Sequence, residues 1–512
     1  MTQAADLILT NCEVHTLAEP DETHEAVAVR DGRIVRVESA YEVDFLNGVD
    51  TERIDCGGRV VLPGFVDAHT HLPMLGRYLV HADLSGAEGP AECVERLRGV
   101  ADGAEDGWIL GFGYDESAWE DSRYLTRADL DGVSDDRPVA AFREDMHVAS
   151  VNGVALSRHR EAMPGEDVER ENGEPTGVLV EEAVDAIYGA IEPDAEEMRE
   201  LIEAAQERAV ARGVTGVHDM VRNSQAPRVY RELDSRGELS IRVRLNYWSD
   251  HLESMEELGL RTDHGSGFVR TGAIKSYTDG SFGGRTAKLS EPYEGEDGGS
   301  GQWVVPPEEL RELVERADGE GFQVSAHAIG DRAIEAVVEA FERTGHAAEA
   351  RHRVEHAELL SEELIERIAE AGIVASVQPN FLKWAGEDGL YGDRLGDERR
   401  RRTNRYADLL EAGAHLAFGS DCMPLDPLLG IHHAVNAPEA SQRLSVTQAL
   451  RAYTSGAAYA GFDERRLGTV EPGKRADLVV LEESPWERPG SIDGIDVTTT
   501  IVDGETVYDA TS

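Results

Sequence analysis

Short apolar runs that alternate with turn residues mark both ends of the chain. Residues 1–60 contain the runs DLILTNCEVHTL, AVAVRDGRIVRVES and ERIDCGGRVVLPG, with an Asp-Gly hairpin signal at positions 31 and 32. Residues 466–512 repeat this pattern in RADLVVLEE and VTTTIVDGETVYDA, with a second Asp-Gly pair at positions 503 and 504. We therefore predict that residues 1–60 and 466–512 join into one small β-sandwich, with two separate β appendages as the alternative.

Between these ends, residues 61–465 alternate β-like runs with helix-like stretches. Helical stretches such as DAEEMRELIEAAQERAVARG and PEELRELVERADGEG carry apolar residues every three or four positions and end at glycine. Eight β-like runs with intervening helices predict a (β/α)8 barrel of the α/β class, in which reactive side chains lie at the carboxyl ends of the strands. The eight runs are VVLPGFVDAH, GVTGVHD, IRVRLNYW, GAIKSYTD, FQVSAHAIG, HRVEHAE, IVASVQP and HLAFGSD.

Two further β-like runs, WILGFGYDE and RPVAAFREDMH, lie between the first and second predicted barrel strands. The span between those two barrel strands is too long to be one helix with short loops. We therefore predict that residues 78–200 form an α+β subdomain inserted into the barrel.

The excess of acidic residues indicates which partners the protein does not bind and the salt concentration in which it works. Acidic residues outnumber basic residues by 100 to 50, which gives a formal net charge of −50 spread along the chain. Such a surface repels nucleic acid and anionic membranes, so neither is expected as a partner. Its self-repulsion would strain the fold at ordinary ionic strength and would be relieved by concentrated salt. We interpret the protein as halophilic, with an acidic mesophilic protein as the alternative.

The expected location is the cytoplasm. Membrane-spanning helices need an apolar run of about 18 residues, which this sequence does not contain, and its first residues lack the basic start and apolar core of a signal peptide. Its cysteines are scattered without a C-x-x-C pair, so neither a disulfide framework nor a thiolate zinc site is expected. These reduced thiols are Cys12, Cys56, Cys93 and Cys422.

Histidines and a carboxylate recur at the ends of the predicted barrel strands. In PGFVDAHTHL, His69 and His71 are two residues apart, so their imidazoles leave the strand side by side and can hold one divalent ion. Later strands end in His327, His356 and Asp421. Because polar groups at buried strand ends need partners, these residues predict one metal site at the barrel mouth. Histidines that are satisfied within the core are the alternative.

Lys275 ends the predicted strand GAIKSYTD in a chain that otherwise uses arginine almost exclusively for its cations. Arginine keeps its proton at any ordinary pH, whereas a desolvated lysine can lose it. The neutral amine can add carbon dioxide and become a carbamate, which is a ligand able to bridge two metals. An ion-pairing lysine is the alternative.

The order and context of several motifs resemble the amidohydrolase superfamily, in the branch that includes N-substituted formamide deformylase. The motifs are PGFVDAHTHL, KSYTDGSFGGRTAKLSEPY, SAHAIGDRAIEAV, HRVEHAELL, AFGSDCMP and LGTVEPGKRADLVVL, and the resemblance covers nearly the whole chain. It implies that His69 and His71 bind the more buried metal and that Lys275 is an N6-carboxylysine when two ions are present. It also implies that His327 and His356 bind the second metal, and that Asp421 binds metal and handles the proton.

Together, the residues and the resemblance predict a metal-dependent hydrolase with one or two divalent ions, zinc being the favoured metal. We expect metal-bound hydroxide to attack a carbon–nitrogen bond, other than a peptide bond, in a small amide, formamide or cyclic amide, with Asp421 as the proton carrier. A deaminase of an aminated ring and a binding protein without turnover are the alternatives. The expected partner is a small-molecule substrate, and association as a homodimer stays open.

Residues around the expected site receive supporting roles. Asp67, Glu355 and Asp331 stand close to ligands in the sequence and could accept an imidazole N–H. Substrate contacts are predicted at four positions, for each of which an ordinary surface or core role is the alternative. They are His147 and Asn152 in the insertion, His218 at the end of GVTGVHD, and Arg285 in the glycine-containing loop after Lys275.

Overall fold

A computed structural model describes residues 3–101, 107–144, 147–295 and 298–510 of the 512-residue chain. The chain divides into two units, one formed by Met1–Leu72 with Gln206–Ser512 and the other by Pro73–Ala205. The first unit combines β-strands from both chain ends with a barrel of parallel strands, and the second has a mixed sheet of its own. The six predicted metal ligands all belong to the first unit.

The amino-terminal part of the first unit consists of short strands and a short helix. The turn between the fourth and fifth strands is Asp31–Gly32, where both residues have positive φ (51° and 69°), as a type I′ hairpin requires. In chain order the elements are β1 (Leu7–Thr10), β2 (Glu13–His15), β3 (Thr23–His24), β4 (Ala26–Arg30), β5 (Arg33–Glu38), α1 (Ala40–Asp44), β6 (Glu52–Asp55), β7 (Val60–Pro63) and β8 (Phe65–Thr70). Strands β5, β4, β1 and β6 form one sheet in that order, and β8 is the first barrel strand.

The second unit is an α+β segment inserted after β8. Its strands β10 and β11 lie within the predicted runs WILGFGYDE and RPVAAFREDMH and pair in parallel, and Asp145 and Met146 of the second run lie outside the described residues. The elements are α2 (Leu72–Val80), β9 (Ala82–Asp83), α3 (Pro90–Ala101), β10 (Ile109–Tyr114), α4 (Arg127–Asp131), β11 (Val139–Arg143), β12 (Val148–Val151), α5 (Gly153–His159), β13 (Val168–Glu171), β14 (Glu174–Val180), α6 (Glu182–Ala190) and α7 (Ala195–Ala211). The sheet order is β13-β14-β12-β11-β10-β9. The limits predicted for the insertion, the barrel and the sandwich stay predictions.

Eight parallel strands of the described chain form the barrel, in the order β21-β20-β19-β18-β17-β16-β15-β8. Its remaining strands are β15 (Val214–Val221), β16 (Arg242–Trp248), β17 (Val269–Tyr277), β18 (Val324–Ala328), β19 (Arg353–His356), β20 (Val374–Val377) and β21 (His415–Phe418). The N–H of Asp421, just after β21, donates to the carbonyl of His69 in β8 (2.8 Å), so the two ends of the sheet meet. The predicted (β/α)8 barrel of the α/β class is confirmed.

Helices connect the barrel strands and follow the last of them. They are α8 (Ala226–Arg236), α9 (Leu252–Glu257), α10 (Pro307–Gly319), α11 (Asp331–Thr344), α12 (Ala347–Ala350), α13 (Glu362–Glu370), α14 (Leu390–Arg400), α15 (Tyr406–Glu411), α16 (Pro427–Val435), α17 (Val446–Arg451) and α18 (Ala457–Ala460). The helix α11 shows why such segments fold as they do, because Ile334, Val337, Val338 and Phe341 form a buried face and the helix ends at Gly345 with positive φ. None of the helices in the described ranges is both long and apolar enough to span a bilayer.

The carboxyl-terminal strands complete the β-sandwich. They are β22 (Leu478–Leu481), β23 (Val497–Val502) and β24 (Glu505–Asp509), and they form the sheet β24-β23-β22-β7-β2-β3 with strands from the amino-terminal part. Its packed interior draws on both chain ends, with Leu7, Val61, Leu478 and Ile501 at most 3% exposed. The two ends therefore share one sheet and one core, in agreement with the predicted fold class.

A buried ion pair ties the sandwich to the barrel. Arg242, the first residue of β16, contacts both carboxylate oxygens of Asp477 (2.7 and 2.8 Å) and one of Asp503 (2.9 Å). Asp503 lies in the β23–β24 turn, so the second Asp-Gly hairpin of the sequence contacts a barrel strand directly. This contact fixes the amino-terminal end of β16, opposite the end at which the predicted ligands lie.

Candidate metal centre

His69, His71 and Asp421 converge at the carboxyl end of the barrel. One potential ligand atom from each of the three lies within 4.8 Å of the other two. Oδ1 of Asp421 is 3.7 Å from Nε2 of His69 and 3.4 Å from Nε2 of His71. Ligand atoms arranged as a tetrahedron around zinc lie about 3.3–3.6 Å apart, so this spacing suits a divalent ion between them.

The rings of His69 and His71 are oriented by hydrogen bonds on the side away from Asp421. Nδ1 of His69 lies 2.7 Å from Oε2 of Glu355, and the His71 ring bonds to the backbone carbonyl of Met220. With Nδ1–H of His69 donating to the carboxylate, its Nε2 lone pair faces Asp421. Such bonds fix the tautomer of a ligating imidazole and raise its basicity.

His327 and His356 continue this cluster across the barrel mouth. The ring centroid of His356 lies 5.0 Å from that of His69 and 4.5 Å from that of His327. Nε2 of His327 lies 3.0 Å from the carbonyl of Gly280, and Nδ1 of His356 lies 2.6 Å from Oε1 of Gln378. These bonds leave Nδ1 of His327 and Nε2 of His356 as the nitrogens that can hold a metal.

Lys275 lies in β17 and completes the group. Its side chain is 1% exposed, and its Nζ makes no hydrogen bond to any residue in the described part of the chain. Glu355 and Asp421 are the acidic groups that act on its charge. Burying a charged amine without a hydrogen-bond partner costs free energy. Nζ of Lys275 is therefore expected to be neutral, to be chemically modified, or to contact a group that is not part of the protein.

The electrostatics keep the imidazoles of the predicted ligand set neutral and bring the pKa values of Lys275 and Asp421 toward neutral pH. Burial lowers the pKa of His69 to about 3 and of His71 to about 4, with the nearby Lys275 adding to both effects. Burial likewise lowers the pKa of Lys275 to about 8 and raises that of Asp421 to about 7. Neutral imidazoles are the form that binds metal, so the donor set fits a divalent ion.

Glu355 is held ionised inside the barrel. Burial alone would raise its pKa, but Arg353, His69 and Lys275 together keep the pKa of Glu355 well below its usual range. Oε1 of Glu355 is 2.8 Å from Nε of Arg353 and accepts the hydroxyl of Ser325 (2.6 Å). The carboxylate that orients His69 is therefore itself fixed by a buried cation and a hydroxyl donor.

Two of the predicted ligands occupy backbone conformations that residues with side chains rarely adopt. His356 has φ of 71° and Asp421 has φ of 54°, both in the left-handed region. Gly419 precedes Asp421, and a Cβ there would lie 2.5 Å from the backbone nitrogen of His69. Backbone strain of this kind persists where the surrounding structure enforces it, which is common at functional sites.

Sequence reasoning placed three carboxylates next to the imidazoles, and the structure gives that role to Glu355. Asp67 instead accepts the backbone N–H groups of His69 (3.1 Å) and Ser420 (2.9 Å). Asp331 is half-buried and accepts the backbone N–H and the hydroxyl of Ser290. The expectation of an imidazole contact was wrong for Asp67 and for Asp331. A carboxylate that is close to a histidine along the chain need not face its ring, because the ring can point toward a different strand.

Other partners of the cluster were not anticipated from sequence. Gln378 follows β20 and bonds to His356, and Asp279 in the TDGS segment lies 3.5 Å from Nε2 of His327. Asp279 also accepts the N–H groups of Lys288 and Gly330, and burial raises its pKa to about 7. The signal that could have identified Asp279 is its place in the glycine-containing loop directly after Lys275.

The four residues predicted as substrate contacts lie in different surroundings. His218 is buried in the barrel, where its Nδ1 lies 2.8 Å from Nη1 of Arg353. Arg285 donates from Nη1 to the carbonyl of Glu294 in its own loop. In the second unit, Asn152 is buried and caps α5 through the N–H of Ala155, and His147 is exposed. Substrate contact by these four residues stays a prediction.

Comparison with known proteins gives a consistent result over the whole chain. A model described as the amidohydrolase family matches residues 52–508. The putative amidohydrolase YtcJ of Bacillus subtilis (strain 168) is 33% identical over 527 residues, covering 97% of this chain and 98% of that protein. The N-substituted formamide deformylase of Arthrobacter pascens is 28% identical over 555 residues, covering 100% of each chain. The crystal structure of an uncharacterized metal-dependent hydrolase from Pyrococcus furiosus is 32% identical, with a TM-score of 0.82 over 94% of this chain and 99% of that chain.

Proposed function

The chain belongs to the amidohydrolase family, and from this membership we propose that it hydrolyses a non-peptide carbon–nitrogen bond in a small amide, formamide or cyclic amide. The observation that carries the proposal is the convergence of His69 Nε2, His71 Nε2 and Asp421 Oδ1 at the barrel mouth. The relative named as a formamide deformylase supports this substrate class.

The residues of the cluster divide into two groups of ligands. His69, His71 and Asp421 would hold one divalent ion, for which zinc is our proposed identity. His327 and His356, with their Nδ1 and Nε2 atoms left available, would hold a second ion. When bound, such ions lower the pKa of water and polarise a carbonyl oxygen.

We propose Lys275 as the bridge between the two groups, in the form of a carbamate. The ammonium group would first release one proton to solvent, and the neutral Nζ would then form a bond to the carbon of carbon dioxide and release a second proton, which leaves a carbamate anion on the lysine. Burial supports this step, because it favours the neutral amine and lowers the pKa of Lys275 to about 8. The resulting anion would lie among the neutral histidines and opposite Arg353, which already acts on the charge of Lys275.

Asp421 is the proposed proton carrier. A carboxylate beside the attacking water can take its proton, and the position of Asp421 Oδ1 next to Nε2 of His69 and of His71 supports this role. Its carboxylate would accept a proton from the attacking water and deliver it to the leaving nitrogen, so that the amine departs neutral. The left-handed backbone of Asp421 and its N–H bond to the His69 carbonyl hold the carboxylate in place during both transfers.

Aromatic rings shape the wall beside the second group of ligands. Tyr277 stacks on His327 with ring centroids 3.9 Å apart, and Trp248 stacks on Tyr277 at 6.3 Å. Phe381 lies parallel to the ring of His356 at 6.0 Å. These rings limit the movement of both histidines, and the half-buried Tyr277 and Trp248 offer a flat apolar surface to a substrate substituent.

We also propose that the enzyme works in a cytoplasm rich in salt. Its net charge of −50 supports a cytoplasm with concentrated salt, because screening there reduces repulsion between surface carboxylates. A small molecule is the proposed substrate, and assembly as a homodimer stays a prediction.

A metal-reconstituted activity screen in concentrated salt tests the proposal. Purified protein would be stripped of metal, loaded with Zn²⁺, Mn²⁺ or Co²⁺, and incubated with N-formyl amines, N-acyl amines, cyclic amides and aminated heterocycles. Release of a carboxylic acid and an amine supports the proposal, whereas release of ammonia from a ring assigns the centre to deamination. Absence of stoichiometric divalent metal after loading would favour a binding protein without turnover.

A further inference from the structure

Two cysteines meet where the chain passes between the two sheets of the β-sandwich. Cys12 lies between β1 and β2, and Cys56 lies between β6 and β7, so the chain changes sheet at both positions. Their Sγ atoms are 3.1 Å apart, and both side chains are buried. Neither cysteine takes part in the metal centre or in the hydrolysis proposed above.

The backbone holds these two crossovers firmly together. The N–H of Cys56 donates to the carbonyl of Thr10 (2.9 Å), and the N–H of Gly58 donates to that of Asn11 (2.7 Å). The side chain of Asn11 also donates to Asp55 (2.8 Å), beside the parallel pairing of β1 with β6. A disulfide has an S–S distance of about 2.05 Å, so joining the sulfurs needs a side-chain shift of about 1 Å and no change of strand register.

A surface cavity gives solvent access to this pair. The cavity has a volume of about 580 Å³, and its wall includes Cys12, Glu25, Asp44 and Arg53. Arg53 and Asp44 form an ion pair there (2.7 Å), so the wall carries charges of both signs. Cys12 is 9% exposed at this cavity and Cys56 is 2% exposed, so Cys12 is the sulfur that a small thiol compound would meet first. The Cys12 sulfur is therefore more accessible from solvent than the Cys56 sulfur, although the two sulfurs are in contact.

We propose that Cys12 and Cys56 form a reversible dithiol–disulfide site that reacts with the disulfides of low-molecular-weight thiols. The Cys12 sulfur attacks one sulfur of the small disulfide, and the released thiol takes the Cys12 proton. The Cys56 sulfur then attacks the Cys12 sulfur, and the second small thiol leaves with the Cys56 proton. One S–S bond is broken and one is formed, the protein loses two hydrogens, and the small disulfide is reduced to two thiols.

The contact between the sulfurs supports the second step. The Sγ atoms are 3.1 Å apart, so the Cys56 sulfur needs only a short movement to reach the Cys12 sulfur. The hydrogen bond from the Cys12 thiol lowers the pKa of Cys56 while both thiols are free, and this bond is lost once Cys12 forms the mixed disulfide. A thiolate is the attacking form in disulfide exchange, and the position of Cys56 next to Cys12 supports the resolving step.

Titration of the full-length protein with oxidised and reduced glutathione, in concentrated salt, tests this proposal. We expect the count of free thiols to fall from four to two as the glutathione pool becomes oxidising, and digestion without reductant should yield a peptide pair joined through Cys12 and Cys56. Dithiothreitol should restore all four thiols. The oxidised protein should melt at a higher temperature than the reduced protein, because the link constrains the unfolded chain.

Single variants separate this site from ordinary surface oxidation. In Cys56→Ser, Cys12 should remain as a mixed disulfide with glutathione, whereas the wild type should accumulate little of it. Cys93→Ser removes a buried thiol of the second unit and should leave the Cys12–Cys56 link unchanged. A wild type that keeps four free thiols, or that forms links through Cys93 or Cys422, would overturn the proposal. The peptide map of the wild type decides the question even if a variant does not fold.

Discussion

Nδ1 of His69 lies 2.7 Å from Oε2 of Glu355, a contact between the first and sixth barrel strands that joins residues 286 positions apart. The imidazole of a predicted metal ligand is therefore oriented by a carboxylate from the opposite side of the barrel. In Glu355→Gln this oxygen loses its charge, and we expect metal affinity to fall about 10–100-fold. Equilibrium dialysis against a metal buffer measures the change.

The control for this variant is Glu362→Gln, which neutralises an exposed glutamate at the start of α13. Because Arg353 loses its buried counter-ion in Glu355→Gln, circular dichroism should verify that the variant is folded under the assay conditions. Unchanged affinity in a folded Glu355→Gln protein would remove the assigned role of this carboxylate.

Asp421→Asn should separate proton transfer from metal binding. The amide can still offer an oxygen to an ion but cannot take a proton, so we expect turnover to fall about 10²–10⁴-fold while most of the metal is retained. Metal content by inductively coupled plasma spectrometry and turnover on the best substrate of the screen are the two readouts. Asp331→Asn, at a half-buried carboxylate after β18 that bonds to Ser290, should behave as the wild type. Full activity in Asp421→Asn would contradict the proposed proton carrier.

Lys275→Ala should lose metal and activity together if a carbamate bridges two ions. Short carboxylic acids such as acetate or propionate could then occupy the space and restore part of both, since they supply the missing carboxylate. Lys288→Ala is the matched control, because Lys288 bonds to Ser300 and Gly301 in the loop that follows. Two equivalents of metal in Lys275→Ala without added acid would exclude the bridge.

The metal-free protein should lose stability as the pH rises through the range in which Asp219 ionises. Burial raises the pKa of Asp219 from its ordinary value of 3.8 to about 7, although Leu72 and Tyr230 donate to its carboxylate. Because the pKa is raised in the folded protein, the stabilisation is complete below pH 3.8. It is lost progressively as the pH rises from 3.8 to about 7. This group alone lowers the free energy of unfolding by up to about 1.4 kcal/mol per pH unit in that window.

Asp219→Asn removes this dependence, because the amide stays neutral. Denaturant unfolding at pH 5, 6, 7 and 8, at constant salt, should give a wild-type curve that declines relative to that of the variant up to about pH 7 and then runs parallel to it. Buried histidines act in both proteins alike, so the difference isolates Asp219. Parallel curves over the whole range would mean that Asp219 is not buried as a neutral acid.

Salt should stabilise the folded protein, because it screens the repulsion between the many acidic groups of the chain. Raising the ionic strength from about 0.1 M to 1 M shortens the Debye length from about 10 Å to about 3 Å, which screens most pairs of surface carboxylates. With a net charge of −50, we expect the melting temperature to rise steadily over this range in potassium chloride. A melting temperature that is independent of salt would favour an acidic mesophilic protein.

The barrel strands and the ligand positions could be predicted from sequence because both depend on local pattern. Apolar runs mark the strands, and His69, His71, His327 and Asp421 stand where those runs end. The orientation of each ring could not be predicted, because it is set by residues on other strands. Gln378 determines which nitrogen of His356 is available, and no feature of the sequence around His356 indicates that partner.

The sequence run RHRVEHAE contains two histidines, His352 and His356, and only their positions relative to the strand end separate them as candidate ligands. Position at the strand end favoured His356, and its ring does lie beside those of His69 and His327. His352 precedes β19, where its Nδ1 accepts the N–H of Val324 and its Nε2 lies 3.3 Å from Asp318. The contact of Cys12 with Cys56 escaped prediction because it depends on the register of β1 with β6.

Strand β7 lies between β2 and β22, so one of its edges pairs with a segment that is synthesised long after it. Until Leu478–Leu481 has emerged, the apolar edge of Val60–Pro63 has no partner of its own chain and can pair with other nascent chains. A truncated messenger that stops before β22 should therefore yield an aggregating product, even though all the predicted metal ligands have already been translated.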